Sequence, residues 1–218
     1  MPWKQDRSKP LIGIIGGIGS GKSAVAAMFA EEGCAVIDSD QLSHAILQSE
    51  EVKKELRGWL GKGVFDVKNE VIRAAVGRIV FSDPKQLARL NQLIHPREEA
   101  ERKALMEKAL RDSAFKAIVW DTPLLVEVGL HRDCDAVVFV RVSPEIRQER
   151  VKGRGWSTEE LLRREKMQIP LDKKAEVADY CIDNNGDQAA SRRQVHEVLS
   201  HLLSKPQGES PKITGHPR

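Results

Sequence analysis

Short, unbroken apolar runs alternate along this chain with longer stretches in which apolar positions recur every three or four residues. The short runs are "LIGII" (11–15), "CAVID" (34–38), "FKAIVWD" (115–121), "DAVVFVRV" (135–142) and a weaker "DYCID" (179–183). Continuous apolar runs of this kind read as strands buried on both faces of a parallel sheet. "SAVAAMFAEEG" (23–33) instead sets Val25, Met28 and Phe29 on one helical face and stops at Gly33. Strands separated by helices predict an α/β fold of three layers, α/β/α, around a five-stranded parallel sheet.

Two interruptions break that rhythm. Between the second and third strands, "AILQSEEVKKELRGWL" (45–60), "EVIRAAVGRIVF" (70–81) and "PREEAERKALMEKALRD" (96–112) each carry an apolar stripe. They are too much chain for a simple crossover and predict a helical insertion over about 45–112. Between the fourth and fifth strands lies "EIRQERVKGRGWSTEELLRREKMQIPLDKKAE" (145–176), dense in charge, with helix expected on both sides of Gly-Arg-Gly at 153–155. This segment reads as a lid, about 147–176. An amphipathic helix, "QAASRRQVHEVLSHLL" (188–203), closes a single domain of 9–204. The polar start (1–8) and the Pro, Gly and Ser-rich tail (205–218) are expected to be flexible termini.

Composition narrows the classes. The chain has 218 residues, 40% of them apolar and 31% charged, with a net charge of +3. That suits one soluble domain with a pocket for an anionic small molecule. Without a long Lys/Arg run, no nucleic-acid partner is expected. No apolar run approaches the ~20 residues of a membrane span, and no signal-peptide core precedes the first strand. A cytoplasmic protein with no membrane partner is therefore expected, as a monomer or weak homo-oligomer. Cys34, Cys134 and Cys181 lack metal-binding spacing and read as reduced thiols serving as small core residues.

The glycine-rich stretch after the first strand carries the chemistry. "GGIGSGKS" (16–23) satisfies G-x-x-x-x-G-K-[ST], the phosphate-binding P-loop. A loop that wraps phosphates with its backbone N–H groups needs unusual backbone angles and no obstructing side chains, hence glycine. Gly17, Ile18, Gly19, Ser20, Gly21, Lys22, Ser23 and Ala24 are the expected nucleotide contacts. Lys22 supplies positive charge to the β- and γ-phosphates, and the Ser23 hydroxyl is a candidate Mg²⁺ ligand. The flanking strand and helix argue against a mere flexible turn. No N-K-x-D segment accompanies the loop, which favours ATP over GTP.

Other candidates follow strand ends, the ligand edge of such sheets. Asp38 and Asp40 stand two apart after the second strand. A carboxylate there takes a proton from an attacking hydroxyl or holds Mg²⁺, and it also caps a helix. Asp40 is the expected base, with Asp38 left to Mg²⁺ or packing. Asp121 ends the third strand and either approaches Mg²⁺ or caps the strand; Glu127 follows as a weaker candidate. His95 precedes Pro96, which is read as starting a helix, and a lone histidine is more often structural. Arg150, Arg154 and Arg164 are lid cations for the transferring phosphoryl group, although arginine-rich helical faces are usually just solvated.

In order along the chain, "GGIGSGKS" (16–23), "VIDSD" (36–40), "FSDP" (81–84), "LIHP" (93–96), "PLLVE" (123–127), "VSPEIRQERV" (142–151), "QIPLDKKAEVAD" (168–179) and "IDNNG" (182–186) resemble the dephospho-CoA kinases. The resemblance runs from about 11 to 202. It implies a P-loop NTPase fold with a helical substrate-binding insertion and a lid, and the use of ATP and Mg²⁺. The implied reaction transfers the γ-phosphoryl to the ribose 3′-hydroxyl of dephospho-CoA, with Asp40 as base. It also implies that Arg73, His95, Arg154 and Arg164 contact substrate and Arg150 the nucleotide. Ile15, Ala24 and Ser39 depart from the usual residues while leaving the loop amides, Lys22 and Ser23 in place. Asn69 replaces a turn glycine, and Glu165 takes a usually apolar place, which puts lid packing in question. A kinase for another small hydroxyl acceptor and an ATP-dependent switch without transfer chemistry are the rival readings.

Overall fold

The computed structural model describes residues 8–204; the expected flexible termini, apart from Ser8, lie outside the described residues. The elements are β1 (Leu11–Gly16), α1 (Lys22–Glu31), β2 (Cys34–Asp38), α2 (Ser39–Leu47), α3 (Glu50–Leu60), α4 (Arg73–Val80) and α5 (Pro84–Arg111). They continue with β3 (Ala117–Asp121), β4 (Ala136–Arg141), α6 (Pro144–Lys152), α7 (Thr158–Glu165), α8 (Leu171–Glu176), β5 (Tyr180–Asp183) and α9 (Gln188–Ser204). All five expected strands are present and pair in parallel in the order β2-β3-β1-β4-β5.

β1 lies at the centre of the sheet and is buried throughout. On one face Ile12, Ile14, Val119, Val138 and Ile182 pack against Val25 and Phe29 of α1 and Val195 and Leu199 of α9. On the other face Gly13 admits its neighbours closely. A Cβ at that position would stand 2.5 Å from Leu125 Cδ2 and 2.8 Å from Cys134 Sγ. The register places Asp38 opposite Asp121, and Asp121 opposite Ile14. Both aspartates therefore share the α1 side of the sheet at its C-terminal edge.

The chain divides into two compact units, one of them the contiguous stretch Ser39–Glu107. That helical unit has its own apolar core, including Leu42, Ile46, Val52, Leu56, Val76, Val80 and Ile94. Its helices differ from expectation in three ways. The stretch 45–60 is two helices, because the Ser49 side chain donates to the Ile46 carbonyl (2.8 Å) and accepts from Val52 N (3.4 Å), capping a new start. The stretch 70–81 begins its helix only at Arg73, since Val71 bridges to Phe65 around Asn69, whose φ is 65°. The third helix starts at Pro84 rather than Pro96, with the Asp83 carboxylate accepting from Lys85 N at 2.8 Å. Pro96 lies inside it, so His95 is a mid-helix residue and not the residue before a helix.

The cysteines also need correction. All three are thiols outside any disulfide, but only Cys34 is buried; Cys134 is half-buried, and Cys181 is exposed on the edge strand β5. Burial pushes the Cys34 thiol up to about 12. Among the described residues no helix is long and apolar enough to cross a membrane.

Candidate functional site

The loop between β1 and α1 is shaped by its glycines. Gly19 and Gly21 have φ of 78° and 85°, the left-handed region that other residues rarely adopt. Each also faces a close neighbour. A Cβ on Gly19 would stand 2.9 Å from the Arg147 carbonyl oxygen, and one on Gly21 would stand 2.6 Å from Asn184 Nδ2. Gly21 caps α1 and its carbonyl accepts from Ala24 and Val25 at 3.0 and 3.1 Å, so the positive end of α1 opens at Lys22 and Ser23. Lys22 folds back over the loop, its Nζ 3.4 Å from the Gly17 carbonyl and 3.5 Å from that of Gly16. The Ser20 hydroxyl is buried and has no hydrogen-bond partner among the described residues. A glycine cradle, a helix N-terminus, a lysine and an orphaned hydroxyl together fit a chain of phosphates.

The carboxylates beside this loop come from adjacent strands. Asp121 is buried at the end of β3, and Asp38 is half-buried beside it at the end of β2. Ser23 is exposed in the first turn of α1. Among the described residues no cluster of three or more His, Cys, Asp or Glu is arranged as a metal site. Hard oxygen donors in small number fit Mg²⁺, which keeps waters and substrate phosphates as its other ligands.

The arginines divide. Arg150 on α6 reaches the loop, donating to the Ser20 carbonyl (3.1 Å) and Gly19 carbonyl (3.4 Å) and also to that of Asn184 (3.0 Å). Arg154 is exposed just beyond α6. Arg164 on α7 stacks on Trp156, 4.1 Å from the ring centre, and its Nε donates to Glu160 at 2.6 Å. With Arg163 it holds the Glu160 carboxyl down at about 2. The phosphate loop, Asp38, Asp121 and Arg150 thus come together, whereas Arg154 and Arg164 stay on their own segment. Asp40, Arg73 and His95 belong to the helical unit, all exposed, on α2, α4 and α5 respectively. α2 and α5 touch where the Ser43 hydroxyl donates to Glu98, one turn past Asp40 and one turn past His95.

Three groups escaped sequence reasoning, two of them at the loop. Asn184, in the turn after β5, donates to the Ser20 carbonyl at 2.8 Å and is braced by the Ser191 hydroxyl at 2.9 Å. Lys174 on α8, 1% exposed, pairs with Glu127 at 2.7 Å and donates to Gln168 at 2.9 Å. Arg147 is buried beneath the loop and pairs with Glu165. Glu165, expected to disturb lid packing, instead gives that arginine its counter-charge. Asn184, Lys174 and Arg147 each lie in a stretch that carries the family resemblance ("IDNNG", "QIPLDKKAEVAD" and "VSPEIRQERV"), but nothing in those stretches singles out these side chains for their contacts.

A family model described as dephospho-CoA kinase matches residues 10–190. The chain belongs to the dephospho-CoA kinase family. A dephospho-CoA kinase of Geobacillus kaustophilus is 39% identical over 191 residues, covering 86% of this chain and 94% of the relative. One of Aquifex aeolicus is 35% identical over 196 residues, covering 89% and 98%. The crystal structure of TT1252 from Thermus thermophilus superposes with a TM-score of 0.76 at 33% identity, over 90% of this chain and 99% of that one. Membership in the dephospho-CoA kinase family makes this chain a P-loop kinase, a transferase that takes ATP as substrate.

Proposed function

We propose that this chain transfers the γ-phosphoryl of ATP to the ribose 3′-hydroxyl of dephospho-CoA, with Asp40 as the base that receives the hydroxyl proton. ATP-dependent phosphorylation of dephospho-CoA to coenzyme A, the last step of that synthesis, is the reaction of the family. The observation that carries the reading to these residues is the cradle of Gly17 to Ser23. It sits beside two aspartates in register at the sheet edge.

Phosphoryl transfer asks little covalent work of the protein; positioning and charge stabilisation dominate. The loop amides and Lys22 hold the β- and γ-phosphates, and the α1 N-terminus adds its positive end. Ser23, Asp38 and Asp121 would hold Mg²⁺, which when bound supplies further charge neutralisation to the phosphate oxygens. Arg150, fixed to the loop carbonyls, holds the nucleotide side of the site. Arg154 is an exposed cation available to substrate phosphates as the lid closes and excludes water, and Arg164, exposed but engaged by Glu160 and Trp156, reaches them by giving up that pairing. Arg73 and His95 contact the acceptor.

The test is ADP release from ATP and Mg²⁺ with and without dephospho-CoA, with the product weighed by mass spectrometry. Release that depends on dephospho-CoA, with one phosphoryl gained at the 3′ position, is expected. Release indifferent to the acceptor would mean a plain ATPase or switch. Activity on a different hydroxyl acceptor alone would discard the substrate.

A further inference from the structure

Three side chains hold the phosphate loop from behind by donating to its carbonyls. Asn184 and Arg150 take the Ser20 carbonyl, Arg150 also reaches that of Gly19, and Arg147 Nη1 lies 3.5 Å from that of Ile18. In a trans peptide the carbonyl and the following N–H point in opposite directions. A donor behind the Ile18 carbonyl therefore turns the Gly19 amide toward the concave, phosphate-binding side.

Arg147, about as buried as Asn184, differs from the other two in a donor left over. It is 8% exposed, and its Nε has no hydrogen-bond partner among the described residues. A Cβ on Gly17 would stand 2.9 Å from its Nη1, so the guanidinium lies against the Gly17–Ile18 backbone itself. Its counter-charge is Glu165, the last residue of α7. Packing alone would be served better by an apolar side chain, because a buried ion pair seldom out-stabilises one.

We infer that Arg147 is a positioning residue for nucleotide binding, acting through the Ile18 peptide. Glu165 neutralises the guanidinium and holds it on the carbonyl, so that it does not swing to a phosphate oxygen. The inference rests on the kinase reading only for the identity of the nucleotide.

The test compares two uncharged pairs. Arg147→Gln/Glu165→Leu keeps an N–H donor for the Ile18 carbonyl, and Arg147→Met/Glu165→Leu removes it. ATP affinity is read by calorimetry without acceptor, and kcat is read at saturating ATP and dephospho-CoA. The Met pair should bind ATP about 5–10-fold more weakly than the Gln pair, the effect of one lost hydrogen bond on a loop that must be pre-set. The Gln pair should stay close to the native protein, and kcat should be alike in both. Equal ATP affinities in the two variants would overturn the proposal and leave Arg147–Glu165 as a structural ion pair. If the Met pair melts early, both are compared at a temperature where circular dichroism matches the native protein, and equal affinities there overturn the proposal as well. A native protein that binds ATP but transfers nothing to dephospho-CoA would sink the acceptor assignment and leave this comparison standing.

Discussion

The phosphate loop and the helical unit solve recognition in opposite ways. At the loop the work falls on backbone: glycines open the cradle, and side chains from α6 and from the turn after β5 clamp its carbonyls from outside. In the helical unit the candidate groups are exposed side chains, Asp40, Arg73 and His95, carried on three helices over an independent apolar core. Phosphates are alike in every nucleotide, so one rigid backbone shape serves them. An acceptor is individual, and in the proposed reading it is met by side chains that can change without disturbing the cradle.

That contrast can be broken at several points. Asp40→Asn should lower kcat by about 10²–10⁴-fold, the usual weight of a general base, while calorimetric ATP affinity stays within about twofold. Collapse of ATP affinity with kcat preserved would move Asp40 to the phosphate side. Lys22→Ala should cost about 10²–10³-fold in turnover with an unchanged circular dichroism spectrum, and normal turnover would deny the loop its hold on the γ-phosphoryl. Lys174→Met strands Glu127 without its cation and should lower stability by about 3 kcal/mol in denaturant titration. Adding Glu127→Met should restore most of it; no recovery would mean that the pair is not what α8 rests on. Ser49→Ala removes the cap of α3 and should cost about 1 kcal/mol, seen as faster amide exchange in α3. Equal acceleration across the sheet would contradict a separately cored unit.

The sequence displays what is local. Five apolar runs mark five strands, and the glycine pattern marks the loop, because strand burial and left-handed backbone each leave a signature within a few residues. The break at Ser49 was also local, but a continuous apolar stripe masked it: the hydroxyl that starts α3 stands between two helices with compatible faces. Likewise "SDP" at 82–84 announces a helix start that the later Pro96 hid. Strand order and the clamps on the loop are another matter. Arg147 and Asn184 meet residues far away in sequence, and no local pattern distinguishes a clamping arginine such as Arg147 from an exposed one such as Arg154.

The strand order also governs how the chain assembles. β3 sits between β1 and β2, yet it is made after both, so β2 cannot join the sheet until residue 121 has emerged from the ribosome. Closing a long loop costs entropy and slows folding. The chain placed between β2 and β3, however, is a contiguous unit with its own core, able to condense during synthesis. What would otherwise be a long floppy tether becomes a folded body, and far fewer flexible links remain for the late strand to draw in.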